Sequence, residues 1–161
     1  MAVPHGATLE EIESVYRRRG RDFYRFALAR TGDAAAAQDA VQEGFARAIR
    51  AREAFRGSGA LDAWIGRCVL NAARDGAARP DAIPVSDALE ASSSGDLVDA
   101  HVRRAIRALP RRQRDALFLR FYLDFDYAAI AEVLGIRVGT VSATLHAARQ
   151  TLARALEEVP K

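Results

Sequence analysis

Arg79 to Gly95 constrains the fold more than any other stretch of this chain. It holds Pro80, Pro84, Ser92, Ser93, Ser94 and Gly95, with few large apolar side chains. Proline and serine runs break helices and favour extended backbone. The stretch splits 161 residues into two blocks, each small for a self-sufficient core. The expected organisation is a first domain over residues 1–78, a flexible linker over 79–96 and a second domain over 97–161. Two such domains are expected to move independently in the free protein.

Both blocks carry helical spacing. Alanine, the best helix former, occurs 34 times, and long β-branched runs are absent. The fold class expected is therefore all-α. Thr8 with Glu11 is a capping-box signature, and Leu9, Ile12, Val15, Tyr16, Phe23 and Phe26 follow helical spacing to about Arg30. Gly32 stops that helix and Asp33 can cap the next. Ala37, Val41, Phe45, Ala48 and Ile49 line one face of a second helix. Arg56 to Gly59 is a loop, and Leu61, Trp64, Ile65, Cys68 and Ala72 make the stripe of a third helix. The second block reads as four helices: Leu97 to Leu109, one opened by Pro110, a short one capped by Asp126, and one opened by Gly139 or Thr140.

Charge is unevenly placed. Residues 1–79 carry a net +3, residues 80–100 a net −5, and residues 101–161 a net +5. Two basic blocks around an acidic strip suggest an anionic partner, nucleic acid first. Of 24 basic residues, 23 are arginine, which suits phosphate but also follows from a GC-rich coding sequence. Other classes recede. No apolar run approaches the ~18–20 residues of a membrane span, so no membrane insertion is expected. Met1 to Glu13 lacks the basic-then-apolar order of a signal peptide. The single cysteine, Cys68, excludes an internal disulfide and the usual zinc clusters, and fits a reducing cytoplasm. His5, His101 and His146 are scattered and no phosphate loop is present, so no catalytic centre, metal or cofactor is expected.

The strongest local signal runs from Tyr127 to Leu145. Ile130-Ala131, then Leu134-Gly135-Ile136, then Val141 and Leu145, is the pattern of a helix-turn-helix. Small Ala131 lets two helices approach, and Gly135 is expected at positive φ in the turn. The N-terminal turns of the last helix are then free to enter a major groove. A plain helical hairpin has the same core, but the capped short helix followed by a long one favours DNA binding.

At this point the chain resembles a family. Thr31-Gly32-Asp33, Gln38 to Phe45, and Trp64-Ile65 through Asn71 to Asp75 resemble, in order and spacing, the first domain of the extracytoplasmic-function group of bacterial RNA polymerase sigma factors. Leu109 to Arg114, Tyr127 to Ala131 and Gly135 to Val141 resemble the second domain. The resemblance covers nearly the whole chain. It implies a factor that binds core RNA polymerase and directs promoter recognition, promoter opening and transcription initiation. An anti-sigma protein is a further partner it implies. The rival reading is a sigma-like interaction module that binds polymerase or an anti-sigma protein and reads DNA weakly. A one-component repressor would leave the Asp39 to Phe45 motif unexplained.

The resemblance also implies roles. The helix holding Asp39, Gln42, Glu43 and Phe45 would dock on polymerase, its acidic-polar face meeting arginines. The loop from Glu53 to Ala60 and the following helix would take a base of the −10 element, through Arg56, Trp64, Arg67, Asn71 and Arg74. Trp64 sits among Leu61, Ile65 and Cys68, so a core role is the stronger reading of its ring. The last helix would meet the −35 element with Arg137, Thr140, Ser142, Ala143, His146 and Arg149. Here the chain departs from the family, which typically has a basic residue at 142, serine at 143 and arginines at 144 and 147. This chain has Ser142, Ala143, Thr144 and Ala147. Base readout by arginine is depleted, so weak −35 reading is expected.

Overall fold

The computed structural model describes residues 6–57, 59–76 and 97–158. Seven α-helices make up the described residues, and no strand occurs among them. They fall into two groups. The first is α1 (Leu9–Thr31), α2 (Ala34–Arg50) and α3 (Leu61–Gly76). The second is α4 (Leu97–Ala108), α5 (Arg111–Phe121), α6 (Tyr127–Leu134) and α7 (Val138–Glu157). The expected linker, residues 79–96, lies outside the described residues.

Helix boundaries follow local chemistry. Thr8 and Glu11 form the expected capping box, each side chain bonding the other's backbone N–H at 2.8 and 3.1 Å. Such a cap is worth about 1 kcal/mol. Gly32 ends α1 in the left-handed conformation, and the Asp33 carboxylate accepts from Ala36 N–H at 2.9 Å to start α2. A 3₁₀ turn, Arg52–Ala54, follows α2, and Ala7 N–H donates to the Arg52 carbonyl at 2.9 Å. That bond ties the chain's beginning to the base of the 55–60 loop.

α2 and α3 touch at backbone distance. A Cβ added to Gly44 would stand 2.6 Å from the Val69 Cα. Only glycine permits that approach, although glycine costs about 0.5–1 kcal/mol relative to alanine inside a helix. Phe23, Phe26, Ile65 and Leu70 are the largest fully buried side chains of this group. In the second group, Leu119, Leu123, Ile130 and Leu145 are fully buried, and His101 Nε2 hydrogen-bonds the Ala155 carbonyl at 2.9 Å across α4 and α7.

Independent motion of the two groups was expected, but their helices share one core. Val133 of α6 is 1 % exposed, and the space beside Gly66 of α3 is filled by it: a Cβ there would stand 3.2 Å from Val133 Cγ2. Phe26 of α1 packs on Phe118 of α5 at 5.6 Å between centroids. Neither Val133 nor Phe118 was placed by the sequence reading, because local spacing does not say which group of helices covers a given face. Burying that area is worth about 25 cal/mol per Å², which favours contact over separation.

Candidate nucleic-acid and polymerase interfaces

Three faces carry the residues singled out by the sequence. The first is on α2. Asp39 and Gln42 are exposed, one turn apart. Glu43 accepts from Arg47 Nε and from Arg50 Nη2, each at 3.0 Å. These two hydrogen bonds, Arg47's first, hold its carboxyl below the usual glutamate range. Arg47 also reaches Asp75 of α3 at 2.8 Å. A groove of about 360 Å³ runs between α2 and the end of α3, bounded by Asp39, Glu43, Arg47 and Asp75. Phe45 does not share this face. It is 6 % exposed, edge-on to Tyr16 at 5.0 Å and 6.1 Å from Phe23. Helical geometry is the reason: Phe45 lies on the Val41–Ala48 stripe, which faces the core. It supports the face from beneath and presents no ring to a partner. Arg47 and Asp75 were not singled out in advance, although the Glu43–Arg47 spacing of four residues is a visible signal.

The second face joins the 55–60 loop to α3. Trp64, Arg67, Asn71 and Arg74 recur at helical spacing along one edge of α3. Arg56, Arg67, Asn71 and Arg74 are exposed. Trp64 is half-buried against Phe55, with ring centroids 5.5 Å apart, in keeping with a packing role for most of its ring. Cys68 is half-buried, and burial pushes its thiol up, so it behaves as a small apolar side chain. A cleft of about 680 Å³ opens between this face and the second group of helices. Arg19, Arg56 and Trp64 line one side; Asp124, Asp126 and Glu132 line the other. Across its edge Arg67 pairs with Glu132 at 3.7 Å.

The third face is on α7. Asp126 caps α6 through Ala129 N–H at 2.8 Å, and Gly135 ends α6 at φ 66°. The chain then turns 98° into α7, the crossing of a helix-turn-helix. α7 starts at Val138, a residue or two earlier than its glycine suggested, with Arg137 as an N-cap that makes no side-chain bond. Val141, Leu145 and Ala148 are fully buried. Thr140, Ser142, Ala143, His146, Arg149 and Gln150 are exposed, while Ala147 is half-buried. The Arg149 guanidinium lies over the Phe121 ring at 5.5 Å, and that ring is 65 % exposed. The sequence placed Phe121 with Ala116 and Leu117 among the apolar positions of the helix opened by Pro110 and gave no sign that its ring is exposed.

Comparisons with known proteins agree with this layout. Residues 15–81 match Sigma-70 region 2 and residues 100–152 match Sigma-70, region 4. The RNA polymerase sigma-H factor of Pseudomonas aeruginosa is 32 % identical over 145 residues, covering 78 % of this chain and 75 % of that protein. The ECF RNA polymerase sigma factor SigM of Mycobacterium tuberculosis is 31 % identical over 150 residues, covering 90 % and 76 %. Among solved structures, CnrH in complex with the cytosolic domain of CnrY superposes with a TM-score of 0.72 at 22 % identity, covering 96 % of this chain and 92 % of that one. The sigma factor RpoE in complex with the anti-sigma factor NepR from Bartonella quintana gives 0.69 at 21 % identity, covering 94 % and 100 %. Two helical groups in this order, the second ending in a helix-turn-helix, define a region 2–region 4 sigma protein. The chain belongs to the extracytoplasmic-function sigma factors, which bind core RNA polymerase and recognise promoter DNA. Sigma factors are transcription initiation factors rather than enzymes. Among the described residues, no single helix is long and apolar enough to cross a membrane.

Proposed function

We propose that residues 1–78 dock on core polymerase and hold the −10 element, that 79–96 connect, and that 97–161 meet the −35 element. The observation that carries this division is the order of the matched regions, with an acidic face on α2, a basic edge on α3 and a helix-turn-helix in the second group. Asp39 and Gln42 are the docking contacts. Glu43, already satisfied by Arg47 and Arg50, shapes that face and contributes less charge to a partner. Arg56, Arg67 and Arg74 hold phosphates, and Asn71, with both a donor and an acceptor, meets an unstacked base. Arg137, Arg149 and the free N–H groups at the start of α7 hold −35 phosphates. Thr140, Ser142, Ala143 and His146 face the bases with little capacity to tell them apart.

The chain carries out no catalytic step of its own and works in the bacterial cytoplasm, where polymerase is. An anti-sigma protein is a further partner in this reading, supported by the CnrH and RpoE structures being complexes with CnrY and NepR. A second reading, a polymerase- or anti-sigma-binding module that reads DNA weakly, is favoured by one observation: the open face of α7 carries Ser142, Ala143, His146 and Gln150 where arginines would grip guanine. Reconstitution with bacterial core polymerase, followed by sequencing of transcript starts, separates the two. A common upstream sequence supports promoter recognition, and polymerase binding without defined starts supports the module. The docking face is tested by Asp39→Arg, expected to weaken core binding by about 1–3 kcal/mol with the circular dichroism of the folded protein retained. Unchanged affinity removes Asp39 from the interface.

A further inference from the structure

Telling one base from another needs a pocket whose walls stay in place, and one wall of the proposed −10 pocket is a loop. This inference rests on the reading of the 55–60 loop and α3 as that pocket. A loop left to itself is a poor wall, because it re-packs around a wrong base. Here both ends of the loop are tied to α1 and to the residues that precede it.

The first tie is backbone on backbone. The Arg52 carbonyl accepts from Ala7 N–H at 2.9 Å and from Phe55 N–H at 3.3 Å. One oxygen thus joins the approach to α1 to the first residue of the loop. Gly6 lies flat against the same turn: a Cβ there would stand 2.5 Å from the Arg52 oxygen and overlap the Glu53 backbone. Ala7 is buried, and the Thr8–Glu11 capping box fixes the residues that follow it.

The second tie is charged. Asp62 stands in the first turn of α3, just past the end of the loop at Ala60. Its carboxylate accepts from Arg18 Nη1 and Nη2 at 3.3 and 3.2 Å, and from Arg19 Nε at 3.1 Å. A two-pronged guanidinium contact fixes orientation as well as distance. The Asp62 side chain is only 17 % exposed. The Ala60 carbonyl accepts from Ala63 and Trp64 N–H at 3.1 and 3.2 Å, so holding Asp62 holds Ala60. The Trp64 ring closes across the loop onto Phe55. Unlike the buried Arg30–Asp115 pair, which joins α1 to α5 at 2.6 Å, the Arg18–Asp62 contact lies within the first group of helices. Arg19 also reaches the Leu123 carbonyl at 2.9 Å, so Asp62 and Arg18 are the positions that isolate the clamp.

We propose that Asp62, gripped by Arg18 and Arg19, and the Gly6–Ala7 strap are positioning residues: they hold the two ends of the 55–60 loop at a fixed separation, and that fixed loop gives the −10 pocket its power to discriminate between bases. They act through Arg56 and Trp64 rather than on the DNA. The ordering of the loop is completed on folding, so less entropy is lost when the favoured base arrives. A wrong base meets a wall that does not yield to it.

The test uses holoenzyme reconstituted from the full chain and core polymerase. The probes are four single-stranded oligonucleotides of a −10 element mapped from its own transcript starts, differing at one base. Asp62→Asn removes the charge and keeps the shape, and Asp62→Glu keeps the carboxylate. Gly6→Ala lifts the strap at the other end of the loop and keeps the test alive should Asp62→Asn misfold. Asp62→Asn and Gly6→Ala should each weaken the best-bound probe several-fold. The ratio between best and worst probe should shrink by a similar factor, because the worst-bound base has little to lose. Core affinity should stay the same, and Asp62→Glu should keep the original ratio. A loss of affinity equal for all four probes overturns the proposal, since it marks a merely structural role. So does an unchanged ratio in both folded variants while Arg56→Ala alters it. Should Arg56→Ala and Asn71→Ala both leave all four probes untouched, the pocket reading fails instead, and with it the positioning role.

Discussion

Along α3, Arg67, Asn71 and Arg74 give one edge two guanidiniums and an amide, with Arg56 beside them on the loop. Along α7 the open face offers Ser142, Ala143, His146 and Gln150, with Arg149 at its side. The first surface has the chemistry to hold nucleic acid, and one of its arginines, Arg67, is paired with Glu132 of α6 at 3.7 Å. The second is exposed too and has little to grip with. The two halves therefore differ in chemistry. Sequence-selective binding then needs both halves held in register, and polymerase is the natural scaffold for that.

The largest expected effect sharpens this contrast. Arg67→Ala with Asn71→Ala should lower promoter-directed transcription by tenfold or more, because hydrogen bonds to charged groups are worth about 1.5–3 kcal/mol each. Ser142→Ala, His146→Ala and Gln150→Ala together should lower it only about two- to threefold. Transcript yield from one promoter, with saturating holoenzyme and a folding control, decides the matter. Equal losses from the two sets would break the contrast.

A smaller effect comes from giving α7 the chemistry it lacks. Ala147→Arg should add about 1–3 kcal/mol of discrimination at one −35 base pair and reduce the dependence on −10 sequence. Titration of the polymerase-bound protein on promoters differing only at −35, at fixed salt, reads this directly. Strong −35 selectivity in the unaltered chain would mean that its few polar contacts already read bases, and the division of labour would fall.

Much of this was legible before any coordinates. Thr8 with Glu11, Asp33, Asp126 and Gly135 are local signals, and each caps the helix it was expected to cap. Taking Val141 as the buried direction, at 100° per residue, places Ala143, His146 and Gln150 outward, as found, while Ala147, placed outward by the same rule, is half-buried. Long-range partners are another matter. Gly44 entered the sequence reading only as part of the Gln38 to Phe45 motif, and its close approach to Val69 was not foreseen. Phe45 was grouped with Asp39 by motif, although its own periodicity pointed inward. Arg30 and Asp115 are 85 residues apart, and each alone looks like one more surface charge. No local spacing encodes a contact between the two blocks, so the shared core and its buried ion pair came only from the structure.

The smallest expected effect asks whether α7 hides a device for positioning its phosphate contact. Phe121 is too exposed to matter much for the core, and its loss should change stability little. Its ring instead carries the Arg149 guanidinium at 5.5 Å. An exposed stack of this kind is worth about 0.5–1 kcal/mol. That energy confines Arg149 to one region of space, so less side-chain entropy is lost when a phosphate arrives. Phe121→Ala should therefore weaken −35 DNA binding about two- to fivefold, while the slope of affinity against salt stays the same because no charge is removed. Arg149→Ala should weaken binding equally for all sequences and reduce that slope by about one. In the Arg149→Ala background, Phe121→Ala should have no further effect. An equal loss in both backgrounds would show that the ring meets DNA itself, and α7 would then have an apolar contact that its exposed polar face does not reveal.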